Sequence, residues 1–320
     1  MSKHNFPFDT PMVLSGPYRS PKQMLKEQIY DGHESIHDDA MAEKLGFRGG
    51  PIEGPVHFSQ FEPLLVSLWG KTFYEKGCIS AHYKNMVVEG EEVQASLKLP
   101  PSLMADINAL RIYAQKKDGT PVLEGTASIG PNHVPSELDL RMANIRPPEK
   151  LVILREMSVG DKGAKEDPVL MGYDEHLGAM YPFSLTDKLL QITEKCAWQQ
   201  QGVENDSPWG RPIVPFEMIS VLTHFTIEKA GWKVRTPSVG LFADLEIRML
   251  DGPIFANQPY CLDREIIALS ESRRVECYWT KTLIKEAQTG RLVADSVLNH
   301  AIVKESFPGY EKERNRSTLD

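Results

Sequence analysis

No apolar run in the sequence approaches the roughly 20 residues that a membrane-spanning helix requires. The first residues, Met1 to Pro11, mix Lys3, His4 and Asp9 with two prolines. They lack both the basic start and the apolar stretch of a secretory leader, so the expectation is a cytoplasmic protein with no membrane partner. Cysteine is scarce. Cys78, Cys196, Cys261 and Cys277 stand far apart, and none forms a Cys-x-x-Cys pair. That argues against a zinc ribbon or a thioredoxin-like redox site and predicts buried, reduced thiols. An excess of positive charge is also missing. The net charge of −8 argues against nucleic acid as a partner, though a local pocket for a phosphorylated ligand stays compatible with it.

What the chain does contain is an ordinary globular composition, 41% hydrophobic and 25% charged, over 320 residues, enough for two domains. Turn formers cluster at Gly130-Pro131-Asn132-His133-Val134-Pro135 and at Arg146-Pro147-Pro148. They place a boundary between an N-terminal domain, residues 1–140, and a C-terminal domain, residues 141–310. A polar tail, 311–320, is expected to fray.

The two halves read as distant copies. Gly50-Pro51-Ile52-Glu53-Gly54-Pro55 opens an apolar-periodic segment running to Leu68. Arg211-Pro212-Ile213-Val214-Pro215-Phe216 opens another running to about Ala230. Downstream, Gly90 and Gly252 follow strand-like runs at nearly the same offset that separates Pro51 from Pro212, the signature of a repeat. Phe58, Phe61, Leu64, Leu65 and Leu68 recur at helical spacing, as do Met218, Val221, Leu222 and Phe225, so each half should contain one long buried helix. Ser20 with Gln23, and Ser184 with Asp187, have capping-box spacing and predict a short helix ahead of each. Strands follow, at 79–88, 93–99, 109–115 and 122–129 in the first half and at 241–249, 265–269, 274–286 and 291–303 in the second. Lys117-Asp118-Gly119-Thr120 and Gln288-Thr289-Gly290 form the hairpin turns. The predicted class is α+β, with two antiparallel sheets each wrapped around a long central helix. Trp198 and Trp209 read as core residues.

Residues 30–54 carry a resemblance. Tyr30-Asp31-Gly32-His33-Glu34-Ser35-Ile36-His37-Asp38-Asp39, then Gly46-Phe47, then Pro51-Ile52-Glu53-Gly54, resembles the signature of MaoC-like (R)-specific enoyl-thioester hydratases. Lys84 to Val93 looks like that family's strand–turn–strand. The resemblance implies a double hot-dog fold, a substrate held as a thioester on coenzyme A or acyl carrier protein, and reversible addition of water to a 2-enoyl group. Coenzyme A is then part of the substrate and no other cofactor is implied. The family's catalytic His falls on His37 and its catalytic Asp on Gly32. The His of its Pro-Ile-His-Gly run falls on Glu53, which otherwise reads as a first-turn helix acid stabilised by the dipole.

An imidazole near neutral pH suits the proton transfers of hydration, so His37 is the candidate acid/base. Asp39 is the expected N-cap of the helix that follows it. Glu34, three residues before His37, reaches it more readily than Asp31, which alternation would turn to the opposite face. Gly54, at a helix start, can present an N–H to a thioester oxygen, with Ile52 and His33 completing the substrate-binding set. Two histidines and two acids on one short loop lack a recognised metal-ligand spacing, and no metal is expected. Pro215 stands where Gly54 stands in the first half and has no N–H, so the C-terminal half is expected to be non-catalytic. Three readings stay open: a hydratase or dehydratase, a thioesterase on the same fold, and a degenerate acyl-CoA-binding or subunit-partner protein. A homodimer is compatible with each.

Overall fold

The computed structural model describes residues 12–29, 35–100 and 107–316. In chain order the elements are β1 (Met12–Ser15), α1 (Asp39–Lys44), α2 (Glu62–Trp69), α3 (Thr72–Lys76), β2 (Gly77–Tyr83), β3 (Val93–Leu99), β4 (Ala109–Lys116) and β5 (Pro121–Ile129). Next come α4 (Glu137–Met142), β6 (Val169–Leu170), α5 (Leu185–Gln191), α6 (Phe216–His224), β7 (Gly240–Met249), β8 (Pro259–Glu271), β9 (Val275–Glu286), β10 (Leu292–Val303) and α7 (Tyr310–Arg316). The hairpin turns fall where the sequence places them, with Gly119 and Gly290 at φ +84° and +71°, a conformation glycine adopts without steric cost.

The strands form one sheet in the order β1-β3-β4-β5-β2-β7-β10-β9-β8-β6, antiparallel throughout. Each half, read from its outer edge inward, repeats the same order. The expectation of two sheets is therefore corrected to one continuous sheet. β2 and β7 would each be an open central edge, and their mutual pairing removes both edges. In that pair Ile79 lies opposite Ile247 and Ala81 opposite Leu245, and all four face the core. The alternate residues, Ser80 opposite Glu246 and His82 opposite Asp244, face α4 on the other side.

The long central helices are corrected too. The first apolar segment is buried as expected, with Phe58, Phe61 and Leu65 fully enclosed. It is nonetheless broken into a 3-10 turn (Gly54–Phe58) and α2, and a separate short helix, α3, extends the apolar layer beyond it. Pro63 has no N–H to continue a helix from the preceding turn, so the helix restarts there. In the second half α6 ends at His224 because the buried Arg264 guanidinium takes the Thr223 carbonyl, at 3.2 Å from Nε and 2.9 Å from Nη2. The two segments meet ring to ring, Phe73 on Phe216 at 4.5 Å.

Of the two predicted caps, Ser184 forms a full capping box with Asp187 at the start of α5. Ser20 starts no helix. Its segment is spent on tertiary bonds, from Gln23 Nε2 to Pro51 O at 2.5 Å and from Ile29 N to Ala179 O at 2.9 Å. The tail is helical rather than frayed through Arg316, because Arg235 pairs with Glu313 at 2.6 Å and Arg314 with Glu271. Trp198 and Trp209 pack against the main core, as expected. Cys78 and Cys277 are buried, and all four cysteines are free thiols.

Glu62 fastens the halves together. Its carboxyl accepts from Tyr74 OH, from Phe216 N at 3.1 Å and from Gln199 Nε2 at 3.3 Å. Burial pushes this carboxyl up to about 8, against the opposing pull of those donors. A carboxyl raised in the folded state contributes fully below its ordinary value of 4.5, and that contribution is lost as pH rises through about 8. Glu62→Gln keeps an acceptor and removes the titration. Melting temperatures measured from about pH 5.5 to about pH 8.5 should show the wild type losing ground to this variant as pH rises. A constant difference between the two proteins across the range would contradict the assignment.

Candidate active site

His37 stands just before α1. The N-cap of that helix is Asp38, one residue earlier than expected, with its side chain accepting from Met41 N at 2.8 Å. Asp39 is thereby released to accept from Gly50 N at 2.8 Å, which draws the loop before Pro51 against residues 37–39. Only glycine allows that approach, since a Cβ at position 50 would lie 2.2 Å from the His37 carbonyl oxygen. The contact brings Pro51 O to 2.6 Å from His37 Nδ1. A carbonyl can only accept, so Nδ1 carries the proton and Nε2 keeps the basic lone pair. Enclosure of the ring lowers the His37 pKa, although the bond to Pro51 and the charge of Glu53 oppose the shift. The imidazole is therefore neutral at neutral pH and available as a base.

Gly54 opens the 3-10 turn that follows. Among the described residues no acceptor takes its N–H. Tyr83, at the end of β2, lies directly against it: a Cβ at position 54 would sit 2.6 Å from the phenol ring. The Tyr83 hydroxyl is buried without a hydrogen-bond partner among the described residues. His57, one turn beyond Gly54, is also buried, and desolvation, aided by the charge of Lys116, brings it down to about 4.

His37, Ile52, Glu53, Gly54, His57 and Tyr83 line one cavity of about 870 Å³. The sequence-predicted His37, Ile52 and Gly54 are thus brought together. The predicted Asp31, His33 and Glu34, with Gly32, lie outside the described residues. His57 and Tyr83 were missed. Both had a signal: His57 is three residues from Gly54 on the same turn, and Tyr83 alternates with Ile79 and Ala81 onto the inner face of β2.

Glu53, expected as a first-turn helix acid, stands just before the 3-10 turn and makes no cap hydrogen bond to it. It is 6% exposed and takes Lys188 Nζ at 2.8 Å, while the same ammonium lies 3.0 Å from Glu217. Burial works against the Lys188 charge, but the two carboxylates outweigh it and raise the pKa. Burial raises the Glu217 carboxyl, with Lys188 opposing. This Glu–Lys–Glu group ties the floor of the site to α5 and α6. No local pattern announces Lys188, which is remote from Glu53 in sequence.

Removing one partner of a buried ion pair leaves an uncompensated charge, at a cost of about 3–5 kcal/mol. Lys188→Met should lower unfolding free energy by that amount in urea titrations. Adding Glu53→Gln and Glu217→Gln should restore part of it. A loss of less than about 1 kcal/mol for Lys188→Met would mean that the charges are screened.

No protein-family model matches the sequence, and none of the curated proteins is similar to it in sequence. Solved structures do match. The chain is similar to a protein described as a MaoC domain protein dehydratase from Chloroflexus aurantiacus, at 13% identity and a TM-score of 0.53, over 92% of this chain and 95% of that one. It is also similar to a conserved hypothetical protein of Mycobacterium tuberculosis described as having a double hotdog fold, at 10% identity and a TM-score of 0.57, over 92% and 97% of the two chains. At these identities the likeness establishes the fold, a double hot-dog, and leaves the chemistry to be argued from the site.

Proposed function

We propose that the protein is a hydratase or dehydratase acting on an acyl thioester of the 2-enoyl/3-hydroxyacyl class, carried by coenzyme A or acyl carrier protein. One observation carries the reading. A neutral imidazole with its protonated nitrogen anchored to Pro51 shares a cavity with the open helix start at Gly54. The cavity volume is in the range of small-molecule sites, and exposed Lys84 and Lys233 lie on its lining, where a phosphate-bearing carrier would enter.

In the hydration direction, His37 Nε2 accepts a proton from water as the water oxygen bonds to C3 of the enoyl group. The displaced electron pair moves through C2 to the thioester oxygen. We assign the Gly54 N–H, together with the Tyr83 hydroxyl, as the donors that stabilise that oxygen. The His37 imidazolium then gives its proton to C2, which regenerates the neutral ring, and dehydration is the reverse. No step calls for a cofactor beyond the carrier of the substrate. Glu34 is assigned as the carboxylate partner of His37 ahead of Asp31, with His33 on the same segment. Glu53, paired with Lys188, acts on His37 through its charge. The C-terminal half contributes wall rather than catalyst.

The test is a panel of acyl-CoA thioesters followed by mass spectrometry, scored separately for gain or loss of water and for free coenzyme A. Water exchange supports the proposal. Free coenzyme A alone would replace it with thioester hydrolysis, and binding without turnover with a carrier-binding protein. His37→Ala should reduce kcat by about 10²- to 10⁴-fold with an unchanged melting temperature. Because the His37 pKa lies below 6.5 and the base must be unprotonated, kcat/KM should hold level across neutral pH and fall only at more acidic values. An acid limb centred above 6.5 would rule His37 out as the base. Glu34→Gln should cost more than Asp31→Asn, and the reverse order would exchange their roles.

A further inference from the structure

The same cavity runs on into the C-terminal half, where a polar, aromatic wall stands beside the aliphatic side chains of Ile227, Leu241 and Ile302. Tyr181, His224, Phe242, His300 and Tyr278 line it, together with Trp232. Their rings form a contiguous wall. Tyr278 stacks on His300 at 4.2 Å with 4° between planes. The His300 ring is 5.2 Å from His224, and Phe242 stands edge-on to His224 at 5.0 Å. Tyr181 stands edge-on to His224 at 5.9 Å. The proton transfers proposed at His37 use none of these residues.

The polar capacity of the wall is only partly spent. His224 Nδ1 is engaged by the Tyr181 hydroxyl at 2.9 Å, and His300 Nε2 by Thr280 Oγ1 at 3.2 Å. Each imidazole thus spends one of its two nitrogens on the wall itself. The Trp232 indole N–H is buried with no partner among the described residues. Burial lowers both imidazoles, His224 to about 3 with help from Arg264 and His300 well below its ordinary value. Both are neutral, so the wall offers hydrogen bonds and flat aromatic faces rather than charge.

A saturated chain lying here would gain apolar contact with Ile227, Leu241 and Ile302 but would leave those polar edges unmet, and each buried polar group left unmet costs on the order of a tenfold factor or more in affinity. A planar ring would stack on the aromatic faces, and an oxygen on that ring would meet an imidazole or indole edge. We infer that the acyl group accepted by this protein ends in an oxygenated aromatic ring, lodged against the His224–His300–Tyr278 wall while its thioester lies at His37 and Gly54. This rests on the thioester reading above and names its substrate class.

The experiment measures dissociation constants by calorimetry for 4-hydroxycinnamoyl-CoA, cinnamoyl-CoA and 2-octenoyl-CoA, with free coenzyme A as a reference. The inference expects 4-hydroxycinnamoyl-CoA to bind at least tenfold more tightly than 2-octenoyl-CoA, with cinnamoyl-CoA between them. In His224→Phe and in His300→Phe, which keep the ring and remove its nitrogens, that preference should fall below about threefold. Trp232→Phe, which keeps an aromatic ring but removes the indole N–H together with the second ring, gives a further form of the same test should either histidine variant fail to fold. If all three thioesters bind alike, or octenoyl binds best, the inference is overturned while the thioester reading stands. If no thioester binds more tightly than free coenzyme A, both fall together.

Discussion

The pairing of β2 with β7 is the constraint on which the rest depends. Without it each half is a five-stranded sheet with an open inner edge beside its own apolar helices. With it, Ile79, Ala81, Leu245 and Ile247 form a continuous apolar strip under both helical segments, and Phe73 can stack on Phe216 above it. The cavity is a product of the same junction. One wall comes from the His37–Gly54 region and from Tyr83 at the end of β2, the other from Phe242 on β7 and His300 on β10. Neither half encloses it alone.

Burying the junction takes charged groups into the interior, and each is met by a partner from elsewhere in the chain. Lys188 neutralises Glu53 and Glu217; Arg264 is matched by Glu166 and closes the end of α6; Glu62 holds Tyr74 and the first amide of α6. Such groups add little net stability over apolar residues of the same volume, but they penalise any other arrangement, because a misplaced half leaves a bare charge. They also fix backbone where the chemistry needs it. Glu53 is clamped immediately before Gly54, so the helix start that faces the cavity is held by Lys188 through one intervening peptide.

Much of the local structure was legible because it is written in short-range physics. Runs rich in Val, Ile and aromatic residues located the longer strands, several to within a residue or two. Gly119 and Gly290 marked the hairpins, and Ser184 with Asp187 marked a true cap. The same rule failed at Ser20, where an equally good capping box lost to hydrogen bonds from Gln23 and Ile29 to distant carbonyls. The central helices failed for a related reason: apolar spacing reports which residues are buried, and Phe58, Phe61 and Leu65 are, but it cannot report that Pro63 and Arg264 interrupt the hydrogen-bond ladder.

By itself, then, the sequence carried the two-fold repeat, the hairpin turns and the longer strands through composition and spacing, though not β1 or β6, and its resemblance over residues 30–54 grouped His37, Ile52 and Gly54. Only the tertiary structure decided that the two sheets are one. It alone made Glu53 a buried ion-pair partner of Lys188, and set His224, His300 and Trp232 around the far end of the cavity that holds His37. Those outcomes depend on groups that lie far apart in sequence and meet only when the chain is folded, where burial makes an unmatched charge or hydrogen bond costly enough to select its partner.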